Sequence, residues 1–181
     1  MLSAPLRGAL KGDDMIKYGK ILKMHEKDNP SPFCRASYLI SNVGDMVKCY
    51  GRMLRFPDDA HIYQKEMELA MGDVIMQCRL IQVENNIEET EPDKELWDSI
   101  EGNCITTMYH AATLIDLLER ENRSGFEIDG DMKTIETETT LIIDSAASTC
   151  KQLGTDFNTI QHLGFIHTIE RFKEFERRGW Q

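Results

Sequence analysis

The chain has 181 residues and a mass of 20.8 kDa, with 21 Lys+Arg against 31 Asp+Glu and a net charge of −10. At 41% hydrophobic and 29% charged residues it is long and apolar enough to bury a core, which excludes a disordered or collagen-like chain. The acidic excess argues against a role as a binder of nucleic-acid backbone, and no apolar run approaches the roughly 20 residues of a membrane span.

Residues 1–12 are basic, rich in small residues and free of acids. They read as a flexible N-terminal segment, with an organellar targeting signal as the alternative. Apolar residues then recur at spacings of three and four, and no period-two run appears, so the expected fold class is all-α. Asp13 or Asp14 caps a first predicted helix to about Asp28, where Asn29-Pro30-Ser31-Pro32 stops it. A second runs from about Pro32 to Arg55 and ends at Phe56-Pro57-Asp58-Asp59. A third runs from about Ala60 to Asn85, with Met67, Met71, Val74, Ile75, Cys78 and Ile81 on its apolar face. The polar stretch 86–92 reads as a linker between a first helical half, 13–85, and a second, 93–181. In the second half Asp93 caps a fourth helix to about Asn122, Ser124 to Asp131 form a loop, and a fifth helix covers about Met132 to Leu153. Gly154 ends that helix, and Asp156 caps a sixth that closes the chain near Arg178.

The two halves each carry two long helices. Ser41-Asn42-Val43-Gly44-Asp45 is echoed by Ser99-Ile100-Glu101-Gly102-Asn103, and Asp73 by Asp144. This points to helical hairpins forming a four-helix-bundle-like core with an internal pseudo-repeat. Hairpins with apolar stripes cannot bury them alone, so each half is expected to pack on the other or on a second chain. The five cysteines, at 34, 49, 78, 104 and 150, are odd in number and contain no Cys-x-x-Cys pair. Four of the five sit in apolar helical surroundings and read as small buried hydrophobes, and the set points to a reducing, cytoplasmic setting rather than to disulfides or a zinc site.

The carboxylates carry the functional reading. Glu66 and Asp73 are seven apart and share a helical face, while Asn42 and Asp45 are three apart on the preceding helix. If those helices pack antiparallel, Asp45, Glu66 and Asp73 can converge. Converging carboxylates suit Mg²⁺, with Mn²⁺ as a substitute, and such an ion can hold a triphosphate and orient a water. The alternative is a solvated acidic face. Glu68 points elsewhere on its helix. His162 and His167, five apart, read as surface or tail residues, and His61 and His110 are isolated. Trp97 and Trp180 read as packing residues. The chain contains no glycine-rich phosphate loop of either common pattern and no nucleophile elbow.

Three runs carry a resemblance: His25-Glu26-Lys27-Asp28-Asn29-Pro30, Ser41-Asn42-Val43-Gly44-Asp45, and Glu68-Leu69-Ala70-Met71-Gly72-Asp73-Val74. With Gln152-Leu153-Gly154-Thr155-Asp156 and the tail from Arg171 to Trp180, they resemble the MazG-like branch of the all-α nucleoside triphosphate pyrophosphatases. That family carries Glu-Glu-x-x-Glu on one helix and Glu-x-x-Asp on the next. Here Ser41 and Asn42 stand at two of the glutamate positions, Asp45 at the third, and Ala70 at the glutamate of the second motif, while Asp73 is kept. The second-half equivalents are Ser99, Ile100 and Asn103, with Leu141 before Asp144. The resemblance implies Mg²⁺-dependent hydrolysis of a nucleoside triphosphate to monophosphate and pyrophosphate. Asp45 and Asp73 would be catalytic, and Asp45, Glu66 and Asp73 would be the metal ligands. Asn42, Glu68, Glu101 and Asp144 are additional candidates, and at most one metal site, on the first-half side, is expected. The depleted motifs imply the alternative of an inactive relative that acts as a structural or partner-binding subunit. A homo-oligomer or a protein partner is expected in either case.

Overall fold

The computed structural model describes residues 32–89, 91–124 and 128–178. Among these the chain forms five α-helices and no strand: α1 (Pro32–Arg55), α2 (Ala60–Glu84), α3 (Ile100–Ser124), α4 (Ile128–Leu153) and α5 (Phe157–Arg178). The helix expected from Asp13 to Asp28 lies outside the described residues. Among the described residues no helix is long and apolar enough to cross a membrane.

Prolines and glycines set most of the boundaries. Phe56-Pro57 breaks α1, and a single 3₁₀ turn, Pro57–Asp59, leads into α2. Past α2, Asn86 takes a positive φ of 55° and turns the chain so that Ile87 N–H reaches the Gln82 carbonyl at 2.8 Å. At the end of α4, Gly154 adopts φ 70° and Thr155 N–H donates to the Cys150 carbonyl, the usual left-handed stop. Asp156 then caps α5, its Oδ2 accepting from Thr159 N–H at 2.9 Å.

Two boundaries differ from the sequence expectation. α3 begins at Ile100, not at Asp93, and its cap is Ser99, whose Oγ accepts from Gly102 N–H at 3.1 Å. The stretch 91–97 runs as a strap along α4 instead of coiling. Ser148 Oγ accepts from Leu96 N–H at 3.2 Å, Gln152 donates to the Trp97 carbonyl at 2.6 Å, and Lys151 pairs with Glu95. Long-range partners for the backbone thus outweigh local helix propensity. α4 in turn starts at Ile128, taking in the Asp129-Gly130-Asp131 expected as loop. Acidic residues near a helix start suit the helix dipole.

α1 and α2 pack antiparallel, as the Arg35–Glu84 pair at one end and the Arg52–Glu66 pair at the other require. α3 and α4 do the same through Asn103–Gln152 and His110–Glu138. α1 also packs on α3, and α2 on α4, so the two hairpins bury their stripes against each other in a four-helix bundle. α5 covers the outer side of α2.

The core forms two apolar clusters stacked along the bundle. One holds Leu39, Val43, Val74, Cys78, Leu114 and Ile142, and the other Met46, Met67, Met71, Ile75, Cys104 and Cys150. A smaller third cluster seats Phe165 and Ile169 of α5 on Met76 and Leu80 of α2. With neighbours on three sides, α2 is buried at every position from 70 to 82. Several of its polar members are paired across elements, while the Gln77 Oε1 makes no hydrogen bond among the described residues. The buried Arg79 donates to Gln161 on α5 at 3.2 Å and to Gln82 at 3.0 Å, and meets Glu89 at 3.1 Å. Gln82 in turn donates to Thr139 on α4 at 3.1 Å. Cys49, Cys78, Cys104 and Cys150 are free, buried thiols.

Candidate functional site

The most heavily engaged candidate is Asp73, and two glycines place it. α5 crosses α2 where Gly72 faces Gly164. A Cβ built on Gly164 would lie 2.0 Å from the Gly72 carbonyl oxygen, and one on Gly72 would lie 2.7 Å from the Ile160 carbonyl oxygen. Only hydrogen at both positions permits this approach. The contact brings the next residue on α2, Asp73, under the side chains one and two turns along α5. His167 Nδ1 stands 2.9 and 3.0 Å from the two Asp73 oxygens, and the Arg171 guanidinium 3.6 Å from Oδ2. Asp73 is 7% exposed, His167 26% and Arg171 49%, so a buried carboxylate meets two cationic or hydrogen-bonding groups that reach in from the rim.

This arrangement has a definite chemistry. In the neutral ring, an Nδ1–H donated to Asp73 leaves the Nε2 lone pair outward, the usual way a carboxylate orients a histidine. Both Asp73 oxygens are already in use. A divalent cation at Asp73 would share the carboxylate with an imidazole and a guanidinium.

The remaining candidates have partners of their own. Asp45 is exposed and pairs with Lys48, one turn along α1, at 3.2 Å. Glu66 is half-exposed and reaches across to Arg52 on α1 at 3.6 Å, with the Cys49 thiol 3.8 Å away. Burial first, then Glu66, pushes the Cys49 thiol pKa up, with a smaller push from Asp45. Asp45 and Glu66 therefore do share a neighbourhood, around Cys49 on the α1–α2 seam. Among the described residues Asp45, Glu66 and Asp73 do not form one group arranged to hold a metal ion. Glu66 lies about two turns before Asp73 and pairs with Arg52 on α1, while Asp73 pairs with His167 and Arg171 on α5.

Glu68 accepts from Gln64 at 2.9 Å, and Gln64 also caps the Leu153 carbonyl of α4 at 3.2 Å. Glu101 sits on the α1–α3 seam and raises the pKa values of Tyr50 and Cys104 after burial has done so. Asn42 is buried, and its Nδ2 makes no hydrogen bond among the described residues. Asp144 is wholly buried between Ile143 of one apolar cluster and Ala146 of the other. It faces the backbone at Asp93 and Lys94, yet neither oxygen closes a hydrogen bond of ordinary geometry. Burial pushes its pKa above the usual carboxylate value, and the nearby Asp93 adds to the rise. Among the described residues no group of three or more His, Cys, Asp or Glu side chains is arranged to hold a metal ion. The donor set implied by the family resemblance, with each acid already beside its own cation, does not fit Mg²⁺ as it stands.

Sequence reasoning singled out Asp73 but set aside its partner, His167. The signal was present at short range. Gly164, His167 and Arg171 recur at i, i+3 and i+7, so a helix-crossing glycine and two cationic side chains share one face of α5. What the spacing could not supply was the helix that this face would meet. Compared with protein families, curated proteins and solved structures, the chain has no match.

Proposed function

We propose that the chain is a MazG-like helical bundle whose acidic positions hold helices together, and that it acts as a structural or partner-binding subunit without catalysis. The observation that carries this reading is the engagement of Asp73 by His167 and Arg171. A magnesium ligand needs free lone pairs on anionic oxygen and a geometry close to octahedral. Asp73 spends its oxygens on α5, Asp45 stands beside Lys48, and Glu66 beside Arg52. Acids each matched to a cation favour a structural use of the same positions. The buried free thiols suit a reducing, cytoplasmic compartment.

One observation favours the competing reading, a Mg²⁺-dependent nucleoside triphosphate pyrophosphohydrolase. α1 and α2 are antiparallel neighbours, and the Arg35–Glu84 and Arg52–Glu66 pairs fix a register that sets Asp45 and Asp73 at similar heights. In that reading His167 and Arg171 leave Asp73 when the metal–nucleotide complex arrives. The test is release of pyrophosphate from each common nucleoside triphosphate with Mg²⁺ or Mn²⁺. The subunit reading expects a rate no higher than that of Asp73→Asn. Turnover that depends on the metal and is lost in Asp73→Asn would establish the enzyme.

A further inference from the structure

From residue 102 to residue 115, α3 contains no Asp, Glu, Lys or Arg, in a chain that is 29% charged. A helix on the surface of a bundle normally turns charged side chains outward, and one that lacks them all round is normally covered. α3 packs on α1 and α4, and its third side stays open among the described residues. That side presents Ile105 (61% exposed), Met108 (47%) and Tyr109 (67%) at i, i+3 and i+4, with the exposed Ala112 completing the stripe. Trp97 (57%) continues it, held to the same helix by its Nε1–H donated to Thr106 and by contact with Gly102. The outer side of α2 is apolar too, but Phe165 and Ile169 of α5 close over it.

From this we infer that the outward face of α3 is the seat of a two-fold dimer of this chain. The inference deepens the subunit reading above by naming the partner. An antiparallel pair of α3 helices with the axis between Met108 and Tyr109 sets Met108 against Tyr109 and Ile105 against Ala112, a large side chain opposite a small one. In the same register Glu101 stands opposite Asp116 of the second copy, whose charge Arg120 already offsets, and Trp97 lies opposite Arg120. Self-complementarity of this kind is what an isologous interface requires. A face without charge carries no electrostatic code for an unlike partner. Tyr, Trp and Met with few charges is also the composition of interface centres. The four large side chains expose about 500 Å² of mainly apolar area, which with a polar rim approaches the ~800 Å² per partner of a standard interface.

The test is mass by light scattering, across a hundredfold range of micromolar concentrations, on the full chain. The wild type is expected at twice its 20.8 kDa, and Ile105→Glu/Tyr109→Glu at 20.8 kDa with unchanged helicity, the dimer dissociation constant rising about 100-fold. Lys173→Ala on α5 should dimerise as the wild type does. If the double variant does not fold, Tyr109→Cys replaces it, because a residue beside the axis links two chains under mild oxidation. A wild type that stays at 20.8 kDa throughout would overturn the inference and leave the face to a different partner. A double variant that dimerises unchanged, or a Tyr109→Cys that does not link, would also overturn it. Mass and pyrophosphate release are separate readouts, so loss of the dimer and loss of the subunit reading are told apart.

Discussion

α2 and α3 are the same length, 25 residues, and both pack inside one bundle, yet they meet their surroundings in opposite ways. α2 has α1, α4 and α5 around it and is buried at every position from 70 to 82. α3 has two neighbours and leaves Ile105, Met108 and Tyr109 in the open. The difference does not lie in apolar content alone. It lies in one close crossing, since Gly72 opposite Gly164 lets α5 settle on α2, and among the described residues nothing of that kind covers α3. Buried polar residues are matched unevenly, since on α2 itself the Gln77 Oε1 makes no hydrogen bond among the described residues. On the covered helix Asp73, Arg79 and Gln82 are each matched across an element. At the strap that runs along α4, Asp144 is buried without a match.

The comparison breaks most completely if the crossing is spoiled. Gly164→Ala puts a Cβ against the Gly72 carbonyl, where backbone rather than a flexible side chain must yield. A cost of about 3 kcal/mol, the upper end for overpacking, lowers Tm by roughly 6–12 °C in a chain of this size. Gly51→Ala on α1, where nothing lies within 4 Å, should instead be neutral or raise stability by about 0.5–1 kcal/mol. Thermal melts of the two variants together separate close approach from a general effect of glycine.

Removing the acid that the crossing delivers comes next. Asp73→Ala leaves His167 and Arg171 facing an empty position and is expected to cost about 2–3 kcal/mol, as hydrogen bonds to charged groups do. Asp73→Asn keeps one accepting oxygen and should lose about half as much. Denaturant midpoints at unchanged m-value check both. Equal losses for Ala and Asn would place the contribution in charge rather than in the hydrogen bond.

Asp144 gives an effect of opposite sign. Burial raises its folded-state pKa above the unfolded value, so the folded state binds the proton more tightly. Its contribution is therefore least unfavourable below the unfolded pKa of about 3.9, and stability is lost as pH rises through the folded value. Asp144→Asn should stabilise the chain by about 1 kcal/mol at neutral pH, with the gain fading towards pH 4. A variant that destabilises at pH 7 would show that the charged form is matched after all.

The smallest effect is a rate. Burial pushes Cys78 and Cys150 up to about 12 and Cys104 up to about 11, and thiolate is the reactive form. In a Cys34→Ser background, Cys49 should react first with a thiol reagent at pH 8. Cys78, at the heart of α2, should react only as fast as the fold opens. Mass mapping of the labelled sites follows the order.

Most of the fold was legible in local signals. Phe56-Pro57, Gly154 and Asp156 mark helix ends by backbone geometry that needs no tertiary partner, and those ends fall where expected. Asp93 misled because its following residues find better partners on α4 than in a helix of their own, and a cap signal cannot reveal Ser148 or Gln152, about 50 residues away. The site was legible only in half. Asp73 stood out as an acid at a helical position, but its partners lie 94 and 98 residues on, and the register that joins them is set by two glycines whose meeting is a property of the packed bundle.

Asp73 joins α2 to α5 through His167 and Arg171, and in the proposed subunit reading it holds no metal–nucleotide complex. The most direct test is the melting temperature of the wild type and of Asp73→Ala, each with and without Mg²⁺ and a non-hydrolysable nucleoside triphosphate. A ligand that binds only the folded state must raise Tm. Asp73→Ala is expected to melt about 5–10 °C below the wild type, and neither protein is expected to respond to the metal and nucleotide. A wild type stabilised by Mg²⁺ and nucleotide, with that stabilisation absent from Asp73→Ala, would contradict the subunit reading.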